Sequence, residues 1–275
     1  MQYTNYILIE GADTMSEYDV PKVWEWNKDE QNQFGNQPVA GSRFEQTLPV
    51  GEAPLQVYSL GTPNGQKVAI MLEELKDAGA QGADYDLYLI NIGEGDQFGS
   101  DFVAINPNSK IPAMMDYSLD KPLRVFESVN ILLYLAEKFG QFMPDDLAEK
   151  TELMNWLFWQ TGAAPYVGGG FGHFYHYAPT KQEYPINRFT METKRQLDLL
   201  DRHLADKDYI NGDTYSIADM AIWPWYGRLV QGKLYGNAAE FLKADDYTHL
   251  NEWADRIGER PAVKRALELE YKQIK

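Results

Sequence analysis

Cysteine is absent from this chain of 275 residues. The absence excludes structural disulfides, thiolate metal sites and a cysteine nucleophile, so any thiol chemistry here needs a sulfur that a substrate supplies. Positive charge is scarce as well, because 25 Lys and Arg residues stand against 41 Asp and Glu residues and leave a formal net charge of −16. A protein of that sign repels phosphate backbones and anionic lipids, which makes nucleic acids and membranes poor partners.

Long apolar runs are missing too. No window approaches the roughly 20 apolar residues that a membrane helix needs. The short apolar run Tyr6–Ile9 lacks the basic region and the longer apolar core of a secretory signal. We therefore expect a soluble, cytoplasmic protein. With 44% hydrophobic residues the chain is globular rather than disordered.

The alternation of periodic and irregular segments predicts an extension and two domains. Trp24 and Trp26 favour an N-terminal arm that packs on the folded body over a free tail, because exposed tryptophans are costly. In the second domain Gly168–Gly172 predicts a loop, and Ile186 the start of a long helix. The predicted boundaries are 1–50 for the extension, 51–140 for the first domain and 147–275 for the second.

Residues 51–140 read as strand, helix, strand, then two short strands and a helix. Between Val68 and Leu75 apolar residues recur at i, i+3, i+4 and i+7, the spacing of a helix with one buried face. A strand-helix-strand unit favours a right-handed crossover and parallel pairing. The predicted strands are Leu55–Tyr58, Tyr85–Leu89, Ala113–Asp116 and Leu123–Phe126. The fold class is therefore α/β plus all-α, a thioredoxin-like domain followed by an all-helical one.

The first candidate site lies where the first strand passes into the first helix, at Thr62-Pro63-Asn64. Unpaired N–H groups and the helix dipole favour an anion at a helix N-terminus, including a thiolate. The Thr62 hydroxyl and the Asn64 amide could donate to a bound sulfur, but neither can be oxidised. The alternative is a simple helix cap formed by either residue.

Two further motifs suit a peptide-like ligand. A cis bond at Ile111-Pro112 would turn the Ile111 backbone towards such a ligand, although a trans proline at a strand start is the commoner case. Glu127 and Ser128 open the next helix, where the carboxylate could hold an ammonium group and the hydroxyl a carboxylate. A plain helix cap is the alternative there.

Motifs in the second domain favour structure over chemistry. His173 and His176 lack further ligands at a recognisable metal spacing, so an aromatic cluster is the better interpretation. The glycine-rich stretch beside them has no P-loop Lys-Ser/Thr and follows a helix, so neither nucleotide-binding fingerprint fits. Ser216 and Asp219 predict a capping box.

Taken together, the order of these motifs resembles that of the cytosolic glutathione transferase superfamily, over roughly residues 50 to 268. The motifs that carry the resemblance are Thr62–Gly65, Asn106–Pro112, Glu127–Ser128 and Ser216–Asp219. Within the superfamily the chain is most similar to the bacterial Nu-class and its YghU-like disulfide-bond oxidoreductases. That closer similarity rests on Ser59–Val68, Gly95–Phe98, Gly170–Tyr177 and the arm with Trp24 and Asn36.

The resemblance implies a homodimer of subunits with a thioredoxin-like domain and a glutathione transferase helical domain, using glutathione as co-substrate and no metal. It implies catalytic roles for Thr62 and Asn64 beside the glutathione sulfur. Thr161 departs from the related sequences, which carry glutamine there, while Gln160 precedes it. The implied glutathione-binding residues are Asn36, Thr62, Asn64, Gln97, Lys110, Ile111, Glu127, Ser128 and Arg188.

The implied activity is reduction of small disulfides by two glutathione molecules per active site. A protein without cysteine cannot form a mixed disulfide itself, so two external thiols must act on one disulfide. One alternative is a transferase that conjugates glutathione to electrophiles, or a glutathione peroxidase side activity. Another is a non-catalytic glutathione transferase-like binding module, against which the joint presence of the site residues argues.

Overall fold

A four-stranded mixed sheet lies at the centre of the first region. The computed structural model describes residues 18–27, 35 and 37–274. The strands are β1 (Leu55–Ser59), β2 (Tyr85–Leu89), β3 (Ala113–Asp116) and β4 (Leu123–Phe126), in the order β2-β1-β3-β4. Strands β1 and β2 are parallel, whereas β3 is antiparallel to both β1 and β4. The predicted parallel crossover and the thioredoxin-like arrangement are thus confirmed.

Helices cover both faces of this sheet. They are α1 (Pro63–Asp77), α2 (Ser100–Ile105) and α3 (Ser128–Phe139). Because side chains alternate along a strand, Val57 of β1 joins the core beneath α1 and α3, while its neighbour Tyr58 joins a smaller core with α2. The Tyr58 ring stacks on Tyr88 and its hydroxyl donates to Pro49 O at 2.8 Å. Tyr58 therefore belongs to the core.

The second region is helical. Its elements are α4 (Leu147–Pro165), a π-helix (Tyr166–Tyr177), α5 (Glu183–His203), α6 (Ile217–Ile222), α7 (Tyr226–Val230), α8 (Ala238–Leu242), α9 (Thr248–Gly258) and α10 (Pro261–Glu268). The long helix α5 begins three residues before the predicted start. The capping box of α6 is confirmed, with both reciprocal bonds present.

The prediction of a glycine-rich loop was wrong, because these glycines lie within the π-helix. Three of the four are packing positions, whereas a Cβ atom on Gly169 would meet nothing within 4 Å. A Cβ atom on Gly168 would come within 2.6 Å of the Trp225 ring, and one on Gly170 within 2.3 Å of the Phe189 ring. Any larger residue would push these aromatic rings away. These glycines therefore mark places where two elements approach closely. In composition such a segment has the same residues as a glycine-rich loop.

The two regions share one core and are also joined by polar contacts. Helix α1 packs against α6 and α10, and the Glu74 carboxylate accepts two hydrogen bonds from Arg260, at 2.6 and 2.8 Å. The chain end returns to the sheet, where Lys272 exchanges backbone hydrogen bonds with Leu87 and Leu89. Residues near the C-terminus, which the prediction assigns to the second domain, thus contact the first domain. The predicted domain boundaries stay predictions.

The two tryptophans of the N-terminal arm differ in burial. Trp24 has 63% of its surface exposed and Trp26 is half-buried, so the expectation that both pack on the body was wrong for Trp24. Arg43 packs on the first domain, with its guanidinium 3.3 Å from the Phe98 ring centroid. Over the described parts of the chain, no helix has the length and apolar character needed to cross a bilayer.

Candidate active site

Two adjoining cavities lie between the sheet region and the helices. They lie at the edge of the sheet where β1 ends and leads into α1, and where the cis bond precedes β3. Their volumes are about 340 and 780 Å³. Gln97 and Ile111 line the smaller cavity, whereas Gln160 and Thr161 line the larger one. The wall that both cavities share includes Thr62, Asn64, Lys110, Glu127, Ser128 and Trp225. Most of the residues predicted for the site are thus brought together.

The start of α1 forms the floor of both cavities. Thr62 is the N-cap, and its hydroxyl oxygen accepts from the Gly65 N–H at 3.4 Å, so the alternative interpretation of a cap holds for this residue. A Cβ atom at Gly65 would lie 1.9 Å from Leu60 O, which only glycine avoids. Since the Thr62 oxygen is the acceptor in the cap, its hydroxyl hydrogen remains to be donated towards the cavity.

Asn64 is oriented from the helical region. The Trp225 indole N–H donates to Asn64 Oδ1 at 2.9 Å. An indole nitrogen only donates, so the amide oxygen must face Trp225 and the amide NH₂ group must face away from it. Asn64 is therefore not the cap of α1. Sequence reasoning missed Trp225, because nothing local to α7 indicates a contact with α1.

The side of the smaller cavity offers hydrogen-bonding groups suited to a peptide. Gln97 is buried; its amide NH₂ donates to Ile92 O at 3.4 Å, and its Oε1 has no partner within the described part of the chain. The Ile111–Pro112 bond is cis, as the sequence suggested. Lys110 is exposed at the rim, and its backbone oxygen accepts from the Asn106 amide at 2.6 Å.

The start of α3 supplies the opposite wall. Glu127 precedes the helix with a backbone φ of 69°, a left-handed conformation that costs a non-glycine residue about 1–3 kcal/mol. Its side chain forms no cap hydrogen bond with the helix, so the plain-cap interpretation fails for Glu127. The exposed carboxylate instead lines both cavities beside Ser128.

A buried lysine that sequence reasoning missed lies behind Ser128. The Lys67 ammonium group donates to Gln160 Oε1 at 3.0 Å and to Ser128 Oγ at 3.3 Å. Burial lowers the pKa of Lys67 to about 7, opposed by the field of the Glu127 carboxylate. A signal existed, because Lys67, Met71 and Leu75 recur at i, i+4 and i+8 and so share the buried face of α1.

Other predicted residues lie elsewhere. Asn36 falls outside the described residues. Arg188 is exposed on α5 and lines neither cavity, so its role stays a prediction. Thr161 lines the larger cavity, but its hydroxyl donates to Leu157 O at 3.0 Å within α4.

The two histidines of the π-helix contact aromatic rings, as the sequence indicated. His173 lies edge-on to Phe174, with centroids 4.9 Å apart, and His176 lies edge-on to Tyr177 at 4.8 Å. Within residues 18–27, 35 and 37–274, no group of three or more His, Cys, Asp or Glu side chains could hold a metal ion.

The arrangement therefore offers donors to an anion at the shared floor and groups for a zwitterion at the start of α3. Cysteine is absent, so the chain supplies no thiol nucleophile. Such a site suits a ligand that carries its own reactive sulfur.

Known protein families match this chain in both of its regions. The sequence models of the glutathione S-transferase N-terminal and C-terminal domains match residues 62–138 and 183–256. The disulfide-bond oxidoreductase YghU of Escherichia coli (strain K12) is 63% identical over 254 residues, which cover 92% of this chain and 88% of that protein.

Solved structures agree with the sequence relatives. The crystal structure of the glutathione transferase YghU from Streptococcus pneumoniae ATCC 700669, complexed with glutathione, is 61% identical with a TM-score of 0.91, and the match covers 94% of this chain and all (100%) of that one. A glutathione transferase from Burkholderia graminis, with two glutathione molecules bound per subunit, is 38% identical with a TM-score of 0.71, covering 78% and 87% of the two chains.

Proposed function

The chain belongs to the glutathione S-transferase family, and from this premise we propose that it is a disulfide-bond reductase that uses two glutathione molecules per active site. The observation that carries the proposal is the wall shared by the two cavities. Because Thr62 and Asn64 line both cavities, two ligands bound side by side would bring their sulfur atoms together at these donors. The YghU relative named as a disulfide-bond oxidoreductase supports the same activity.

In the proposed reaction, a glutathione thiolate attacks one sulfur of the substrate disulfide. A bond forms between the glutathione sulfur and that sulfur, and the other substrate sulfur leaves as a thiolate. The second glutathione thiolate then attacks the glutathione sulfur of the mixed disulfide, which releases the second substrate thiolate and forms glutathione disulfide. The two protons lost by the glutathione thiols end on the two released thiolates, and the protein is unchanged.

The chain's own residues contribute binding and electrostatics. The Asn64 amide NH₂ and the Thr62 hydroxyl donate to the reacting thiolate, which lowers the pKa of the thiol and orients the sulfur. Gln97, Lys110 and the Ile111 backbone hold the peptide. Glu127 and Ser128 are proposed to hold the ammonium and carboxylate groups of the γ-glutamyl end. Roles for Asn36 and Arg188 are proposed on the resemblance alone.

The decisive experiment compares two substrates at saturating glutathione. The rate of 2-hydroxyethyl disulfide reduction is measured in an assay coupled to glutathione reductase. It is expected to exceed the rate of conjugation of glutathione to an aryl chloride by at least tenfold. Calorimetry should give two glutathione molecules per subunit. A single glutathione per subunit together with faster conjugation would contradict the proposal.

Conjugation is the second candidate, and the larger cavity favours it. Met154, Leu157 and Phe158 give that cavity an apolar wall on α4 that could accept an electrophile. A non-catalytic binding module is the third candidate, and it predicts glutathione binding without turnover in either assay.

We also propose that the protein is a cytoplasmic homodimer of the Nu-class, as the resemblance implies. Light scattering should give a mass near twice 31.5 kDa. A monomer at micromolar concentration would contradict the dimer.

A further inference from the structure

We propose that Lys67 is a positioning residue: by donating to Ser128 and Gln160, its ammonium group leaves the Ser128 hydroxyl and the Gln160 amide as donors for the carboxylate of the bound γ-glutamyl group. This inference rests on the proposed function, and it concerns how the site acquires its affinity for that end of glutathione.

The first step concerns the polarity of Ser128. An ammonium group has three hydrogens and no lone pair, so the Ser128 oxygen must accept from Lys67 in the contact at 3.3 Å. The hydroxyl hydrogen of Ser128 is then free to be donated, and Ser128 lines both cavities. A carboxylate accepts hydrogen bonds only, which makes it the ligand group that matches.

The second step concerns Gln160, which is buried in the middle of α4. Its Oε1 accepts from Lys67 at 3.0 Å, so the amide orientation is fixed and the NH₂ group occupies the other side. That Nε2 atom has no hydrogen-bond partner in the described part of the chain, although Gln160 lines the larger cavity. An unpaired buried amide is costly, and a ligand acceptor would satisfy it.

The charge of Lys67 depends on pH and on the bound ligand. Burial lowers the pKa of Lys67 to about 7, so at pH 8 the free protein holds most of this side chain uncharged. Uncharged Lys67 has a lone pair and could accept from Ser128, which would turn the hydroxyl hydrogen away from the ligand. A bound carboxylate favours the ammonium form, so binding must be accompanied by uptake of a proton.

The charged groups on neighbouring elements are accounted for. Glu127, which precedes α3, acts directly on Lys67. Asp219 on α6 accepts hydrogen bonds from its own region, and Arg260 and Arg265 on α10 pair with glutamates of α1. On α3, Lys138 pairs with Asp116 and Glu137 with Lys150. The part of the proton uptake that Lys67→Met removes is therefore assigned to Lys67.

The test uses S-methylglutathione, which keeps both ends of glutathione but has no thiol to ionise. Calorimetric titrations at pH 8, in two buffers of different ionisation enthalpy, give the number of protons taken up on binding. The ligand's amino group also titrates near this pH, so the informative quantity is the difference between variants, and we expect Lys67→Met to take up close to one proton fewer than the unaltered protein. The dissociation constant of Lys67→Met is expected to rise at least tenfold.

Lys76→Met is the matched control, because Lys76 lies on the same helix with its side chain 69% exposed. It should change neither the affinity nor the proton count. Lys67→Arg restores a permanent charge, so it should recover affinity in part while taking up no more protons than Lys67→Met. Near-ultraviolet circular dichroism and thermal unfolding establish that each variant is folded.

A second variant separates the Gln160 donor from the Lys67 charge and serves if Lys67→Met does not fold. Gln160→Glu keeps an acceptor for Lys67 but replaces the NH₂ group by a carboxylate oxygen, so affinity for S-methylglutathione should fall at least tenfold. Affinity equal to that of the unaltered protein in this variant, or equal proton uptake in Lys67→Met, would overturn the inference. The proposed function fails separately, if the unaltered protein does not bind glutathione or does not reduce disulfides.

Discussion

The sheet region and the helical region contribute to the same site in different ways. In the sheet region the site groups come at the ends of strands and the starts of helices, as at Thr62 and Ser128. In the helical region Gln160 lies inside α4 and Trp225 directly before α7, where they reach the site through tertiary packing. The first kind of group is marked by a local motif, and the second is not.

The two regions therefore make different contributions to the site at their interface. Most of the groups proposed to bind the ligand, such as Asn64 and Ser128, come from the sheet region, while the helical region adds the Gln160 amide and orients side chains of the sheet region. Trp225 does this for Asn64, and Gln160 is joined through Lys67 to Ser128. Substitutions in each region test that division.

The local motif of the helical region should matter for folding alone. The Asp219 carboxylate accepts hydrogen bonds from Ile210 N, Ser216 N and Trp253 Nε1 at 2.8–2.9 Å, all of them buried. Asp219→Ala leaves these donors unpaired, each at a cost of about 1–3 kcal/mol, so we expect the free energy of unfolding to fall by about 4 kcal/mol. Urea denaturation measures it.

Asp213→Ala is the control, because Asp213 is exposed nearby and should change stability by less than about 0.5 kcal/mol. If Asp219→Ala instead lowered glutathione affinity in the folded protein, local motifs of the helical region would also serve the site.

Loss of the Asn64 donor should have the largest effect on turnover. Asn64→Ala removes a donor to the thiolate, and by analogy with oxyanion-hole donors kcat/KM for disulfide reduction should fall by about 100-fold or more. Asn64→Asp keeps the acceptor for Trp225 but replaces the donor, so it should lose as much. Asn155→Ala, at an exposed position of α4, should be neutral. Full activity in Asn64→Asp would show that the donor is not needed.

Trp225→Phe should have a smaller effect, because it removes an orienting contact and keeps the ring. A typical hydrogen bond contributes about 1 kcal/mol, so kcat/KM should fall by about fivefold. Combined with Asn64→Ala, the substitution should add little, because Trp225 acts through Asn64. Additive losses in a double-mutant cycle would assign Trp225 a role that is separate from Asn64, and would contradict the view that the helical region acts by orienting groups of the sheet region.

The smallest effect is expected at Arg188. The resemblance predicts that Arg188→Ala weakens one of two glutathione sites more than the other. Since the side chain is exposed, solvent screens it, and a change of about 0.5 kcal/mol, or about twofold in affinity, is expected. Two glutathione sites of unchanged affinity in calorimetry would remove Arg188 from the site.

Much of the fold was predictable, because its signals are local. The apolar spacing along α1, the strand alternation and the capping box at Ser216 each depend on residues a few positions apart. The π-helix was missed, because its glycines have the composition of a loop, and the aromatic rings that pack on Gly168, Gly170 and Gly172 come from other segments of the chain. The exposed Trp24 was misjudged for a similar reason, since burial depends on what a side chain meets.

Composition and local pattern already establish that the protein carries no thiol, that a sheet domain precedes a helical one, and which groups open α1 and α3. These properties follow from composition and from contacts within a few residues. The burial of Lys67 against Ser128 and Gln160 comes instead from tertiary packing, as does the contact through which Trp225 orients the Asn64 amide. Hydrogen-bond partners 61 to 161 positions apart leave no periodicity in the chain, because their meeting depends on how the two regions pack.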